Sequence, residues 1–140
     1  MEWLKLYLDH MVLGTLGLMS FIALAFTIER WIFLRRVDIG EYSDIHNLGV
    51  DLTRHMTTIA SVASNAPYVG LLGTVIGILI TFHDLGSGGN LSASSIMLGL
   101  AMALKATAGG LLVAIPALLA YNGLLRKVEV LQARWQGANP

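Results

Sequence analysis

The chain lacks cysteine and has little charge. Because none of its 140 residues is cysteine, a disulfide framework and any cysteine-based metal or redox site are excluded. Charged residues make up 13% of the sequence and hydrophobic residues 55%, whereas soluble domains carry roughly 25% charged residues. This balance predicts a membrane protein. The formal net charge is zero, and we expect no nucleic-acid partner.

Three stretches have no charged residue: 11–28, 56–82 and 106–125. A bilayer core of about 30 Å needs roughly 20 apolar residues in a helix. Backbone groups in lipid need hydrogen bonds within their own segment, so these stretches should be helices. We therefore predict an all-α membrane protein with three transmembrane helices.

Basic residues set the predicted orientation. Seven of the nine follow span one or span three: Arg30, Arg35, Arg36, Arg54, Arg126, Lys127 and Arg134. The positive-inside rule then puts the N-terminus outside and the C-terminus in the cytoplasm. Acidic residues precede the first stretch and arginines follow it, which indicates a retained span and not a signal peptide.

The predicted elements form one domain. In order they are span one (about 10–34), a cytoplasmic helix (about 43–65), span two (about 66–84), an outer loop (85–95), span three (about 96–125) and a cytoplasmic C-terminal helix (126–136). Apolar residues at three- and four-residue steps predict that the cytoplasmic helix runs from about Ile45 into span two, with a bend at Pro67.

Small residues punctuate spans two and three. Gly70, Gly73 and Gly77 form a strip on span two, and Gly110 belongs to a similar strip on span three. Helices in lipid associate through close backbone approach, which small residues permit. Helix packing alone is enough to explain these glycines.

Polar side chains within the spans allow two interpretations. Thr74 in span two and Thr107 in span three lie among small residues. They either bond to their own backbone one turn back or line a polar surface. Lys105 is the one charge within span three, and its position in the sequence places it near the middle of the bilayer. Glu29 and Asp84, the acidic residues considered as partners, lie near the ends of their spans and do not match this depth. Lys105 either snorkels outward or contacts another chain.

Two segments carry a resemblance to a known family. The stretch ASNAPYVGLLGTVIGI, residues 63–78, is followed by ALKATAGGLLVAIPALLAYN, residues 103–122. Together they resemble the ExbB/TolQ/MotA proton-channel family, most closely its compact, short-loop ExbB branch. The stretch IERWIFLRR, residues 28–36, is also similar to that branch.

The resemblance implies a proton-driven motor subunit in the inner membrane of a Gram-negative bacterium, so that the outside, where the N-terminus is expected, is the periplasm. Such subunits form a ring-shaped homo-oligomer, usually described as a pentamer, around transmembrane helices of ExbD. Protons pass through the assembly by way of a carboxylate on ExbD, and the energy goes to TonB, which drives uptake across the outer membrane. Membrane lipids are further partners, and no cofactor, metal or enzymatic activity is expected. The alternatives are a TolQ-like or MotA-like motor subunit, or a passive membrane scaffold.

Residue roles follow from the same resemblance. Thr74 and Thr107 match the family's threonines in the pore and proton pathway. The motif positions that match for helix packing are Pro67, Gly70, Gly73, Gly77 and Pro116. Met102 stands where many members carry glutamate, so we expect the titrating carboxylate on the partner. Lys105 is expected to be a buried charge that contacts a neighbouring copy or this partner.

Overall fold

Four helices make up the fold in the computed structural model of the chain, which describes residues 2–88 and 92–140. They are α1 (Glu2–Arg36), α2 (Ile45–Leu52), α3 (Met56–Gly86) and α4 (Ala93–Ala138), with a 3₁₀ turn between α1 and α2. Three of them, α1, α3 and α4, are long and apolar enough to cross a membrane. The chain is therefore all-α, with three helices capable of spanning.

The predicted third span and C-terminal helix form one continuous helix. α4 has 46 residues, which is about 69 Å at 1.5 Å per residue. A bilayer core is only about 30 Å thick, so a large part of α4 extends beyond it. At the start of α4, the hydroxyl of Ser92 accepts a hydrogen bond from the Ser95 amide at 3.3 Å, which satisfies one of the free amides of the first turn.

The long helices pack as an antiparallel pair with a third helix across it. α3 and α4 lie side by side for most of the length of α3, and α1 contacts both. The buried apolar residues along the spans are mostly small or β-branched, among them Val12, Ala66, Ala106 and Ala114. Helix contact within the spans thus depends on close approach more than on large side chains.

Large side chains hold together the end of the molecule that contains α2. Its buried cluster comprises Leu34, Leu48, Leu52, Met56, Ile59, Leu124, Val128, Leu131 and Trp135. The indole of Trp135 donates to the carbonyl of Tyr42 at 2.9 Å. The hydroxyl of Tyr42 donates to the Asp51 carboxylate at 2.7 Å, and this bond raises the pKa of Tyr42 above its usual value.

The predicted unbroken helix from Ile45 into span two is interrupted. α2 ends at Leu52 and α3 begins at Met56, and between them His55 adopts a left-handed conformation with φ 66°. The break lets Leu52 and Met56 enter the same buried cluster. By contrast, α3 continues without a break through Pro67.

Arg30 explains how α2 can end inside the protein. Its side chain is only 2% exposed, and its guanidinium donates to the carbonyls of Asp51 at 2.6 Å and Leu52 at 3.2 Å. These are carbonyls that the helix end leaves without helical partners. Two further bonds, at 2.5 and 2.6 Å, reach the Glu29 carboxylate. Arg30 therefore pairs with Glu29 and also caps α2.

The predicted outer loop, 85–95, is shortened because the helices on both sides extend into it. α3 continues to Gly86 and α4 begins at Ala93. Residues 89–91 lie outside the described part of the chain.

We predict that Arg30→Met lowers the free energy of unfolding by about 2–4 kcal/mol, because it leaves buried carbonyls and the Glu29 carboxylate without their donor. Denaturant unfolding in detergent micelles, followed by circular dichroism, measures this. The control is Arg36→Met, which removes an exposed cation from the same helix and should change stability by no more than about 0.5 kcal/mol. Equal effects of the two substitutions would contradict the capping role.

Candidate functional site

The backbones of α3 and α4 touch at two glycines. A methyl group on Gly70 would lie 2.5 Å from the Ala106 carbonyl oxygen, and one on Gly110 would lie 2.6 Å from the Ala66 carbonyl oxygen. Real side chains do not approach backbone atoms this closely, so neither position has room for any residue but glycine. We call this contact the α3–α4 seam.

The seam continues from these glycines towards the loop between α3 and α4. A methyl group on Gly77 would lie 3.0 Å from the Cβ atom of Ala103, and one on Gly73 would lie 2.9 Å from that of Ala106. Gly73 also faces Val12 of α1, at 3.0 Å from the same hypothetical methyl. The structure therefore places Gly70, Gly73, Gly77 and Gly110 where helices meet.

The two prolines predicted as packing positions lie elsewhere. Pro67 is partly buried within α3, and Pro116 is exposed on α4. Pro116 lines a groove between α4 and α1, not the seam.

A hydrogen-bonded pair of threonines crosses the seam. The hydroxyl of Thr74 donates to the carbonyl of Ala103 on α4 at 2.7 Å and forms a short bond with the hydroxyl of Thr107. The Thr74 hydroxyl also lies 3.3 Å from the carbonyl of Gly70, one turn back on its own helix, and either hydroxyl can be the donor in the Thr74–Thr107 bond. Thr74 is only 6% exposed, whereas Thr107 is partly exposed. The two side chains thus meet inside the chain, and only Thr107 also reaches its surface.

Two ion pairs join the first turns of α1 to the other long helices. Lys5 Nζ lies 3.5 Å from an oxygen of Asp84 on α3, and Lys105 Nζ on α4 lies 3.3 Å from Asp9 Oδ2. Lys5 and Asp9 are four residues apart and share one helix face. A cavity of about 30 Å³ lies between them and the backbones of the seam glycines, which is room for about one water molecule.

The Asp9–Lys105 pair was not predicted. The predicted span one begins at about residue 10, but α1 begins at Glu2, so Asp9 lies well inside the helix. A signal was present, because Asp9 is three residues before buried Val12 and seven before buried Leu16, in helical register with both. Asp9 is 17% exposed and Lys105 54%, so the lysine keeps most of its surface free.

No group of three or more histidine, aspartate or glutamate side chains in the described ranges, 2–88 and 92–140, is arranged to hold a metal ion. The polar groups of the site are therefore hydroxyls, backbone carbonyls and two ion pairs. Such groups can hold and orient a proton donor or a water molecule.

A family model described as the MotA/TolQ/ExbB proton channel family matches residues 42–137. The chain belongs to this family. The match includes α2, α3 and nearly all of α4, and with them the seam and both threonines. The resemblance seen in residues 63–78 and 103–122 is thereby confirmed.

Named relatives of the family extend the similarity to α1. Biopolymer transport protein ExbB of Helicobacter pylori strain J99 is 54% identical over 136 residues, which is 97% of this chain and 94% of that protein. The ExbB protein of Aquifex aeolicus is 49% identical over 136 residues, 97% of this chain and 92% of that protein. Tol-Pal system protein TolQ of Pseudomonas aeruginosa is 44% identical over 77 residues, 55% of this chain and 33% of that protein.

We predict that Gly110→Ala destabilises the protein by about 1–3 kcal/mol, because a rigid backbone carbonyl occupies the space of the added methyl group. The matched control on the same helix is Gly123→Ala, where a methyl group meets nothing within 4 Å and the better helix propensity of alanine is slightly stabilising. Thermal unfolding in detergent compares the two. A Gly110→Ala protein as stable as the control would contradict the seam.

Proposed function

We propose that this protein is the ring-forming subunit of a proton-driven motor in the inner membrane of a Gram-negative bacterium. Copies assemble as a ring, a pentamer by resemblance to the family, around the transmembrane helices of an ExbD-like partner. Proton flow through the assembly energises a TonB-like protein for uptake across the outer membrane. The observation that carries the proposal is the Thr74–Thr107 pair across the seam of a proton-channel family member.

The exposure of Thr107 gives it a specific role in the threonine pair. Thr74 is buried and bonded to the Ala103 carbonyl and to Thr107, whereas Thr107 is partly exposed. A hydroxyl oxygen has two lone pairs, so Thr107 can accept a further hydrogen bond whichever hydroxyl of the pair is the donor. A protonated carboxyl group on a partner helix can donate that bond. In the proposal, Thr107 meets the partner and the buried Thr74 holds its hydroxyl in place.

The titrating group has to come from the partner. No acidic residue occurs in the stretches 56–82 and 96–125 of α3 and α4. Asp9 is the carboxylate of α1 near the seam, and its charge is engaged by Lys105. A subunit with hydroxyls but no free acid in these stretches fits a channel wall that completes its proton pathway with an ExbD-like carboxylate.

The extent of similarity favours the ExbB-type output over the TolQ-type one. The relatives named ExbB match along nearly the whole chain, including α1, whereas the TolQ relative matches about half of it. We therefore propose TonB-type uptake and not the Tol-Pal system. The same charge distribution that set the predicted orientation supports a periplasmic N-terminus and a cytoplasmic C-terminus.

We predict that combining Thr74→Val with Thr107→Val leaves the oligomer intact but lowers proton flux at least tenfold, because the channel wall loses its oriented acceptor. Proteoliposomes that contain the protein and its ExbD-like partner, with a pH-sensitive dye inside, measure the flux. The change conserves side-chain shape, so lost packing does not explain the result.

The control for this variant is Thr81→Val on the same helix. Thr81 is also buried, and its hydroxyl donates to the Gly77 carbonyl one turn back. It should retain normal flux. Unchanged flux in the double variant would leave packing as the only role of the threonine pair and would favour the passive scaffold.

Lys105 is proposed to contact the partner or a neighbouring copy. Its ammonium has three donors, of which one meets Asp9, and 54% of its side chain remains exposed. A charge near the boundary of the hydrocarbon core costs less than one at its centre but still favours polar partners. A polar group from another chain would satisfy the remaining donors.

We predict that Lys105→Met lowers the stability of the protein, because Asp9 loses its counter-ion. It should also lower recovery of the ExbD-like partner in pull-down experiments, because the partner loses its contact with Lys105. Asp9→Leu combined with Lys105→Met should restore stability, since replacing both members of a pair is often neutral, but partner recovery should stay several-fold reduced. Full recovery of the partner with the double variant would show that Lys105 serves Asp9 alone.

A further inference from the structure

A groove between α1 and α4 runs towards the end of α1. Its wider part has a volume of about 560 Å³ and is lined by Thr27, Ile28, Trp31, Leu119, Ala120 and Gly123, among others. A narrower part of about 140 Å³ continues it along Ser20 and Pro116, and the two parts share Thr27 and Ala120. The volume of the wider part is in the range of known ligand pockets.

The groove is apolar along its walls and positively charged at its mouth. Arg35 of α1 and Lys127 of α4 both line the wide end, and no acidic residue lines either part. The guanidinium of Arg35 lies over the ring of Trp31, 4.7 Å from its centre, which orients this cation. Exposed tryptophan is typical of the headgroup level of a membrane. The mouth therefore suits an anionic headgroup.

The length of the groove matches one leaflet of a bilayer. From Ser20 to Arg35 α1 rises about 22 Å at 1.5 Å per residue. Half of a hydrocarbon core is about 15 Å, and the headgroup region adds roughly 5–8 Å on each side. A phospholipid whose acyl chain lies along the walls would therefore have its headgroup at Arg35 and Lys127.

We propose that this groove binds one anionic phospholipid, with an acyl chain between α1 and α4 and its phosphate facing Arg35 and Lys127. The other occupant to consider is a helix of a second copy, which is about 10–12 Å wide with its side chains. The narrow part between Ser20 and Thr27, about 140 Å³ in volume, fits an acyl chain better. Among the described residues, neither Arg35 nor Lys127 has an ion-pair partner, which also favours a phosphate.

Native mass spectrometry of the full-length oligomer tests the proposal. The protein is mixed with equal amounts of phosphatidylglycerol and phosphatidylcholine that have the same acyl chains, and the retained lipids are counted. The wild type should retain phosphatidylglycerol preferentially. Arg35→Gln with Lys127→Gln should reduce this preference about 25-fold, at about fivefold for each cation near an anionic headgroup.

Blocking the walls tests the acyl-chain part independently. A methyl group on Gly123 meets nothing within 4 Å, so Gly123→Leu should fold normally while its side chain fills the groove. It should reduce retention of both lipids several-fold. The matched controls are Gly17→Leu, equally unhindered on α1 but not lining the groove, and Arg36→Gln; both should behave as the wild type.

Three results would overturn the proposal. Equal retention of the two lipids by the wild type would remove the role of the cations. A loss of preference with Arg36→Gln as large as the fivefold expected for each groove cation would indicate general attraction to anionic lipid. A change of oligomer size with Gly123→Leu, with lipid retention unchanged, would identify the groove as a contact between copies. None of these measurements depends on proton flux, so they are independent of the proposed motor function.

Discussion

Contact between the α3 and α4 backbones at Gly70 and Gly110 is the constraint on which the rest of the structure depends. Packed helices are ordinarily 8–10 Å apart, and threonines within helices often bond to their own backbone one turn back. Thr74 keeps such a bond, to the Gly70 carbonyl at 3.3 Å. At the seam the separation is small enough that a methyl group on either glycine would overlap the opposite backbone. The hydroxyl of Thr74 can therefore reach both Ala103 and Thr107 on α4. The threonine pair is a consequence of the glycine contact.

The chain uses two kinds of packing, one along the spans and one beyond them. In lipid there is little hydrophobic drive for helices to associate, so close approach and polar contacts hold them. Where α2 covers the far part of α4, water supplies that drive, and the buried residues become large, as with Leu48, Leu52 and Trp135. Arg30 lies between the two regions. Its bonds to the end of α2 connect the span of α1 to the cluster beyond it.

The sequence was sufficient to predict the helices and the small-residue strips, because both follow from local patterns of charge and size. It was not sufficient where a distance between helices decides the outcome. The apolar spacing from Ile45 onward continues through the break at His55, since periodicity identifies a helix face but not an unbroken backbone. The same limit applies to the threonines. The sequence placed them among small residues, but the burial of Thr74 and the partial exposure of Thr107 depend on how closely α4 approaches.

The polar contacts of α1 also indicate where the membrane lies. Asp9 and Arg30 bind other helices near the two ends of α1, and they are 21 residues apart, or about 32 Å along the helix. This separation matches a hydrocarbon core of about 30 Å. Lys105, which is bound to Asp9, then lies near one boundary of the core and not at its middle, which is where its distance from the start of span three predicts it. A charge pair at that boundary costs much less than a lone lysine at the bilayer centre. Its position close to the seam is therefore compatible with a stable chain.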